Sequence, residues 1–144
     1  MEEFDNLKLE NQLCFPLYAC SKEIIKRYRS FLDEMDLTYT QYITMMVLWD
    51  KKEINVKELG EYLFLDSGTL TPLLKKLESK GYIERKRYEA DQRNLMISIT
   101  KLGMDLKKQA KHIPAEISKC VDLDGKEARE LYNLLYKVLQ NFKG

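Results

Sequence analysis

The sequence predicts a mainly α chain carrying one small β-hairpin, on three observations. Apolar residues recur at three- and four-residue spacing along most of the 144 residues, the mark of helices with one buried face. The period shortens to two in a single stretch near residues 82–100, where strands are expected. Only six Gly and three Pro are present, which leaves little material for long loops. A chain of this length buries a real core without disulfide staples and reads as one domain, residues 1–144.

The elements follow in order. Residues 9 to about 34 read as a helix, with Leu13, Leu17, Ile24, Ile25, Tyr28, Phe31 and Leu32 on one face and Lys22, Glu23, Lys26, Arg27 and Arg29 on the other. Pro16 is tolerated only near a helix start, so the regular helix should begin around residues 11–13, with Cys14 in its first turn. Thr38-Tyr39-Thr40-Gln41 is a capping box that opens a second helix to about residue 50. The apolar content of that helix (Ile43, Met45, Met46, Val47, Leu48, Trp49) predicts burial nearly all round. Asn55 starts a short third helix to about Leu63, and Asp66-Ser67-Gly68-Thr69 starts a fourth that ends at Lys80-Gly81. Residues 82–87 and 95–100 read as two strands joined by a polar tip at 88–94. A helix then runs to about Cys120, kinked or broken at Pro114. Asp124-Gly125-Lys126-Glu127 caps a last helix with Leu131, Leu134, Leu135, Val138, Leu139 and Phe142 on one face.

The middle, about residues 38–102, is therefore a winged helix-turn-helix. The ends, about 7–36 and 103–144, are amphipathic helices with more apolar surface than this middle can cover. A second copy of the chain is the simplest sink for that surface, giving a homodimer through N- and C-terminal dimerisation helices.

Composition limits the function. Mean hydropathy is -0.45 and no apolar run approaches the roughly 18 residues of a membrane span, so no membrane partner is expected. The acidic start, Met1-Glu2-Glu3-Phe4-Asp5, is unlike a signal peptide, and a cytoplasmic location is expected. A net charge of +1 excludes nucleic-acid binding by bulk charge but leaves room for a local basic patch. Between Lys75 and Arg93 seven Lys/Arg stand against four acids, a local +3, while the first ten residues carry -3.

That patch follows a helix N-terminus suited to reading double-stranded DNA through Asp66, Ser67, Gly68, Thr69, Thr71 and Pro72. Short hydroxyls beside backbone N–H groups meet phosphates or base edges, Gly68 allows close approach, and Pro72 can touch a thymine methyl. Lys75, Lys76, Arg85, Lys86 and Arg87 add positive charge. Arg93 at the hairpin tip suits a narrow minor groove, with Asp91 placed to hold its guanidinium.

Cys14, Cys20 and Cys120 are odd in number and include no CxxC, and His112 is the single histidine. No complete disulfide framework within one chain, no metal and no cofactor are expected. In a reducing compartment each cysteine reads by default as a small buried hydrophobe.

The string Leu65-Asp66-Ser67-Gly68-Thr69-Leu70-Thr71-Pro72-Leu73-Leu74-Lys75-Lys76-Leu77-Glu78, then Gly81-Tyr82-Ile83, the wing Asp91-Gln92-Arg93, and Leu102-Gly103 resemble the multiple-antibiotic-resistance regulator (MarR) family. The resemblance implies a dimeric transcriptional regulator on a pseudo-palindromic operator. Within that family Lys8-Leu9-Glu10-Asn11-Gln12-Leu13-Cys14-Phe15, Leu17-Tyr18-Ala19 and Leu37-Thr38-Tyr39 resemble the organic-hydroperoxide sensors. This implies that Cys14 is a peroxide-reactive thiol in a pocket with Phe15, Tyr18, Tyr28 and Tyr39. It also implies a resolving role for Cys120 of the other subunit, with a low-molecular-weight thiol as the alternative.

Physical chemistry agrees with the first of these roles. The positive end of a helix dipole favours a thiolate in the first turn, and phenols can hydrogen-bond it inside an apolar pocket. Tyr18 shares a helix face with Cys14. Tyr28 lies about 21 Å further along a continuous helix, at about 1.5 Å per residue, so any Cys14 it meets belongs to the partner chain. Cys20 points elsewhere and reads as a bystander. The expectation is a redox-controlled repressor and not an enzyme, with organic hydroperoxide as inducer. One rival keeps the fold and is released by a small aromatic ligand or acts as a global regulator. The other is a thiol peroxidase, for which no catalytic constellation surrounds Cys14.

Overall fold

The computed structural model describes residues 2–87 and 95–143. The N-terminal arm folds back on itself in two 3-10 turns, Asp5–Leu7 and Leu9–Asn11. The Asn11 amide donates to the Asp5 carbonyl at 2.7 Å, and the Gln12 amide donates to the Asn6 and Lys8 carbonyls, each at 2.8 Å. Helix α1 spans Cys14–Leu32, so Cys14 is its first residue and Pro16 its third, where a missing N–H forfeits no helical bond. A 3-10 turn, Asp33–Met35, and Asp36 in the left-handed region (φ 52°) turn the chain into α2.

Helix α2 spans Tyr39–Lys51 and opens with the expected capping box: Thr38 Oγ1 accepts the Gln41 amide at 3.3 Å and Gln41 Oε1 accepts the Thr38 amide at 3.0 Å. Burial of α2 is less complete than expected. Met45 and Leu48 are fully buried, but Met46 is 43% exposed and Asp50 faces solvent. Trp49 is held by its indole N–H, which donates to the Gly103 carbonyl at 2.9 Å.

A short strand the sequence did not announce, β1 (Glu53–Asn55), precedes α3 (Val56–Leu63). Asn55 ends β1 and caps α3, accepting the Lys57 amide at 2.8 Å. Helix α4 spans Ser67–Ser79, capped by Asp66, whose carboxylate accepts the Thr69 amide at 2.8 Å. Its far end closes as a Schellman motif: the Gly81 amide bonds to the Glu78 carbonyl and the Tyr82 amide to the Leu77 carbonyl, with Gly81 at φ 84°.

Strands β2 (Ile83–Arg87) and β3 (Leu95–Ile99) form the expected hairpin, and β1 adds to the free side of β3 to give the order β1-β3-β2. Ile97 lies opposite Ile54 on β1 and Arg85 on β2, and the side chains of Ile54, Ile83 and Ile97 enter the core. The hairpin tip, with Asp91 and Arg93, lies outside the described residues.

The helix expected up to Cys120 is two helices, α5 (Lys101–Ala110) and α6 (Ile113–Val121). The break falls at Lys111-His112, and Pro114 sits at the start of α6, where its fixed φ suits a first turn. Helix α7 spans Gly125–Gln140 behind a second capping box, Asp124 with Glu127. The core gathers Leu32, Met45, Leu48, Leu59, Leu74, Leu77, Ile83, Ile97 and Ile113, so it lies under the helix-turn-helix and reaches α6. Among the described residues of α7 none is buried, although Leu131, Leu134 and Val138 are apolar. No described helix is long and apolar enough to cross a membrane.

Candidate nucleic-acid interface and thiol site

Helix α4 presents one face to the core and the other to solvent. Leu70, Leu73, Leu74 and Leu77 are buried, while Asp66, Ser67, Gly68, Thr69, Thr71, Pro72, Lys75 and Lys76 are all exposed. The structure thus brings the expected DNA-reading residues of α4 onto one open surface. The first turn offers amide N–H groups there, and Pro72 has no amide hydrogen for the carbonyl of Gly68, four residues back. The Asp66 carboxyl is held below the usual carboxylate range by the Thr69 backbone amide, so it stays ionised as the cap.

The basic residues of β2 divide. Arg85 is engaged within the chain: its Nη2 and Nε donate to Glu78 Oε1 at 2.9 and 3.1 Å, and its backbone amide donates to Glu78 Oε2 at 3.2 Å. Hydrogen bonding from Arg85 lowers the Glu78 carboxyl from its ordinary value. The pair ties α4 to β2. Lys86 stands 3.9 Å from Glu84, too long for a firm ion pair, and Arg87 is exposed at the last position of β2.

The thiol residues are arranged differently from the default reading of buried cysteines: Cys14, Cys20 and Cys120 are all exposed in the single chain. Cys120 lies inside the last turn of α6. It lines a cleft of about 310 Å³ between α1 and α6 with Glu23, Ile24, Arg27, Ile117 and Val121.

The phenols split into two groups. Tyr28 packs on Tyr39 (4.9 Å between ring centroids) and on Tyr42 (5.7 Å), and Tyr42 continues to Trp49 at 6.2 Å. Burial, then the neighbouring phenols Tyr39 and Tyr42, push Tyr28 up to about 12, so it remains an O–H donor at neutral pH. Burial raises Tyr39 and Tyr42 as well. Tyr42 was not singled out in the sequence, although it stands one helical turn from Tyr39. Cys14, Phe15 and Tyr18 sit at the opposite end of α1, exposed beside Leu13 (85% exposed) and Leu17. Within one chain, then, the structure joins Tyr28 to Tyr39 and leaves Cys14 and Tyr18 apart from them.

A helix-turn-helix with an exposed polar first turn, backed by a twisted hairpin and flanked by long amphipathic helices, defines a winged-helix transcriptional regulator. The family model for the transcriptional regulators SarA/Rot matches residues 26–110. The chain is 46% identical over 138 residues to the organic hydroperoxide resistance transcriptional regulator of Bacillus subtilis, covering 96% of this chain and 94% of that one. It is 50% identical over 142 residues to the regulator SarZ of Staphylococcus saprophyticus, covering 99% and 94%. Among solved structures it resembles reduced AbfR bound to DNA, with a TM-score of 0.80 at 31% identity over 99% of this chain and 97% of that one. The chain belongs to the SarA/Rot family of MarR-type transcriptional regulators.

Proposed function

We propose that the chain acts as a homodimeric repressor on a pseudo-palindromic operator and is released when an organic hydroperoxide oxidises Cys14. The observation that carries this reading is the position of Cys14 as the first residue of α1, exposed on an apolar surface (Leu13, Phe15, Leu17) that a lipophilic peroxide can approach. Tyr18, one turn further along α1, shares the face that carries Cys14. Helix α1 is continuous from Cys14 to Leu32, so Tyr28 lies about 21 Å from Cys14 of its own chain. If Tyr28 and Tyr39 cage Cys14, the cage forms between protomers, and in this reading one oxidised sulfur acts on the relative placement of two DNA-binding heads.

The Cys14 thiolate attacks one peroxide oxygen, the O–O bond breaks, and the alkoxide leaves as an alcohol after taking a proton. Cys14 is left as a sulfenic acid. The Cys120 thiol of the other subunit, or a low-molecular-weight thiol, then attacks the sulfenic sulfur and expels water, giving a disulfide. The first route is favoured by the exposure of Cys120 on α6, a terminal helix that in this reading meets the partner chain.

Titrating operator binding against cumene hydroperoxide tests the reading. Wild type is expected to release the operator stoichiometrically, with an intact mass showing oxidised Cys14. Cys14→Ser is expected to bind normally and to ignore the peroxide. Cys120→Ser is expected to lose the intersubunit disulfide band on a non-reducing gel while keeping the first oxidation. Release that persists in Cys14→Ser overturns the redox mechanism and favours a ligand-released regulator, whereas multiple turnover of peroxide with a thiol reductant favours a peroxidase.

The wing is proposed to place Arg93 in a minor groove, steadied by Asp91, while α4 enters the major groove. Arg93→Ala is then expected to weaken operator binding and to lower the slope of log K against log salt by about one unit, measured by fluorescence anisotropy at several salt concentrations.

A further inference from the structure

Lys80 follows the last residue of α4, at the end remote from the DNA-reading turn. Its ammonium does not extend into solvent. It reaches the corner between α1 and α2, donates to the Asp36 carbonyl, and stands 3.5 Å from Asp36 Oδ2 and 3.4 Å from Gln41 Oε1. The side chain is 27% exposed, and Gln41 is buried. Three oxygens from two consecutive elements thus converge on one cation carried by a third.

The Asp36 side chain is 89% exposed, so its carboxylate contributes little, and the Asp36 carbonyl and the buried Gln41 amide oxygen are the substantive partners. Asp36 holds the left-handed conformation that turns the chain toward α2, one that Asp adopts more readily than most non-glycine residues. Gln41 Oε1 already accepts the Thr38 amide in the capping box of α2. Gln41 lies between Thr40 and Tyr42, and Tyr42 with Tyr39 holds Tyr28 of α1. The α1–α2 corner thus touches both the tyrosine cluster and the Lys80 ammonium, and Lys80 directly follows the last residue of α4.

We propose that Lys80 is a positioning residue that couples the α1–α2 corner, and the tyrosine cluster behind it, to the placement of α4 on DNA. The inference rests on the redox reading above for the direction of its effect. It does not rest on it for the coupling itself. Helix α4 is about 20 Å long, so Lys80 can be changed without touching the residues at the DNA-reading end. The carbon stem of Lys80 covers part of the corner, so methionine, which keeps length and removes charge, is the informative replacement.

The test compares the operator Kd of reduced and oxidised protein for wild type, Lys80→Met and Lys80→Arg, with mass confirming oxidation of Cys14 in each. In Lys80→Met the reduced Kd is expected to stay within about threefold of wild type, and the oxidised-to-reduced ratio to fall at least tenfold. Lys80→Arg is expected to retain the ratio. An unchanged ratio in Lys80→Met, with Cys14 oxidised, overturns the proposal. So does a loss of reduced affinity with the ratio intact, because that marks a merely structural lysine. A second measurement needs no oxidant: operator binding is expected to slow amide hydrogen exchange of residues 37–42 in wild type and Lys80→Arg but not in Lys80→Met. If wild type proves insensitive to peroxide and this exchange pattern is still seen, the redox reading fails and the coupling stands. If operator binding leaves residues 37–42 unaffected in wild type, the coupling is overturned whatever the peroxide does.

Discussion

Replacing Gly103 by alanine is expected to destabilise the protein by about 3 kcal/mol, read as a lower urea midpoint with an unchanged m value. Gly103 occupies the third position of α5, where its amide donates to Thr100 Oγ1 at 3.1 Å and its carbonyl accepts the buried Trp49 N–H at 2.9 Å. A Cβ there would lie 2.3 Å from the Tyr82 carbonyl oxygen, 2.8 Å from Ile99 Cγ1 and 3.2 Å from Met45 Cε. The methionine tip can move aside, but the carbonyl cannot do so freely. Tyr82 O also accepts the Thr100 amide at 3.0 Å, and Thr100 Oγ1 donates to the Gly81 carbonyl at 2.6 Å. Moving Tyr82 strains the Schellman turn after α4 and the root of the wing together. The same step at Gly125, where a Cβ meets nothing within 4 Å at the first position of α7, is expected to be neutral or mildly stabilising. Equal effects at the two glycines would show that backbone entropy, not the close approach at Gly103, governs.

The contrast shows which parts of the fold are legible in one sequence. Caps are legible because their chemistry is local. Thr38 with Gln41, Asp66, Asp124 with Glu127, and Gly81 each act within four residues, and each sits where the sequence places it. Strand β1 is not legible, since three residues give no period and its partner β3 lies more than forty residues away. The split between α5 and α6 was read at Pro114, but a proline second in a helix marks where that helix begins, so the break precedes it. Burial of polar side chains is also invisible in pattern alone. Gln41 and Thr44 fall among the apolar positions of α2 and are buried because their own hydrogen bonds satisfy them, Thr44 Oγ1 donating to the Thr40 carbonyl at 2.8 Å.

The site divides along the same line. The face of α4 proposed to read DNA comes from one helix with one buried stripe, so its exposure follows from periodicity. The thiol site is different, because its parts lie at opposite ends of α1. The sequence arithmetic of about 1.5 Å per residue is enough to show that one chain cannot close it. What that arithmetic misses is the engagement of Arg85 by Glu78, a contact between α4 and β2.

Introducing a charge on the bare face of α7 is expected to have the largest effect on DNA binding. In a twofold dimer Leu134→Glu places a carboxylate in the interface twice, once from each chain, without a built partner for either. Leu134 is 60% exposed in the single chain and is followed one turn later by Val138, with Leu131 one turn before. A buried, unpaired carboxylate costs several kcal/mol, so the doubled penalty exceeds what most interfaces of this kind tolerate. Sedimentation is expected to show a monomer. Far-UV circular dichroism is expected to show lost helix, because a helix of 16 residues with no buried side chain is marginal without its partner. Operator affinity is expected to fall by about 10²- to 10⁴-fold, since two half-sites held together act at high effective concentration and separated heads do not. The winged-helix core should survive, because its buried residues come from α1 to α6 and β1 to β3. A dimer of unchanged operator affinity would place the interface elsewhere, and would remove the route by which, in the proposed mechanism, Cys14 of one chain meets the tyrosines of another.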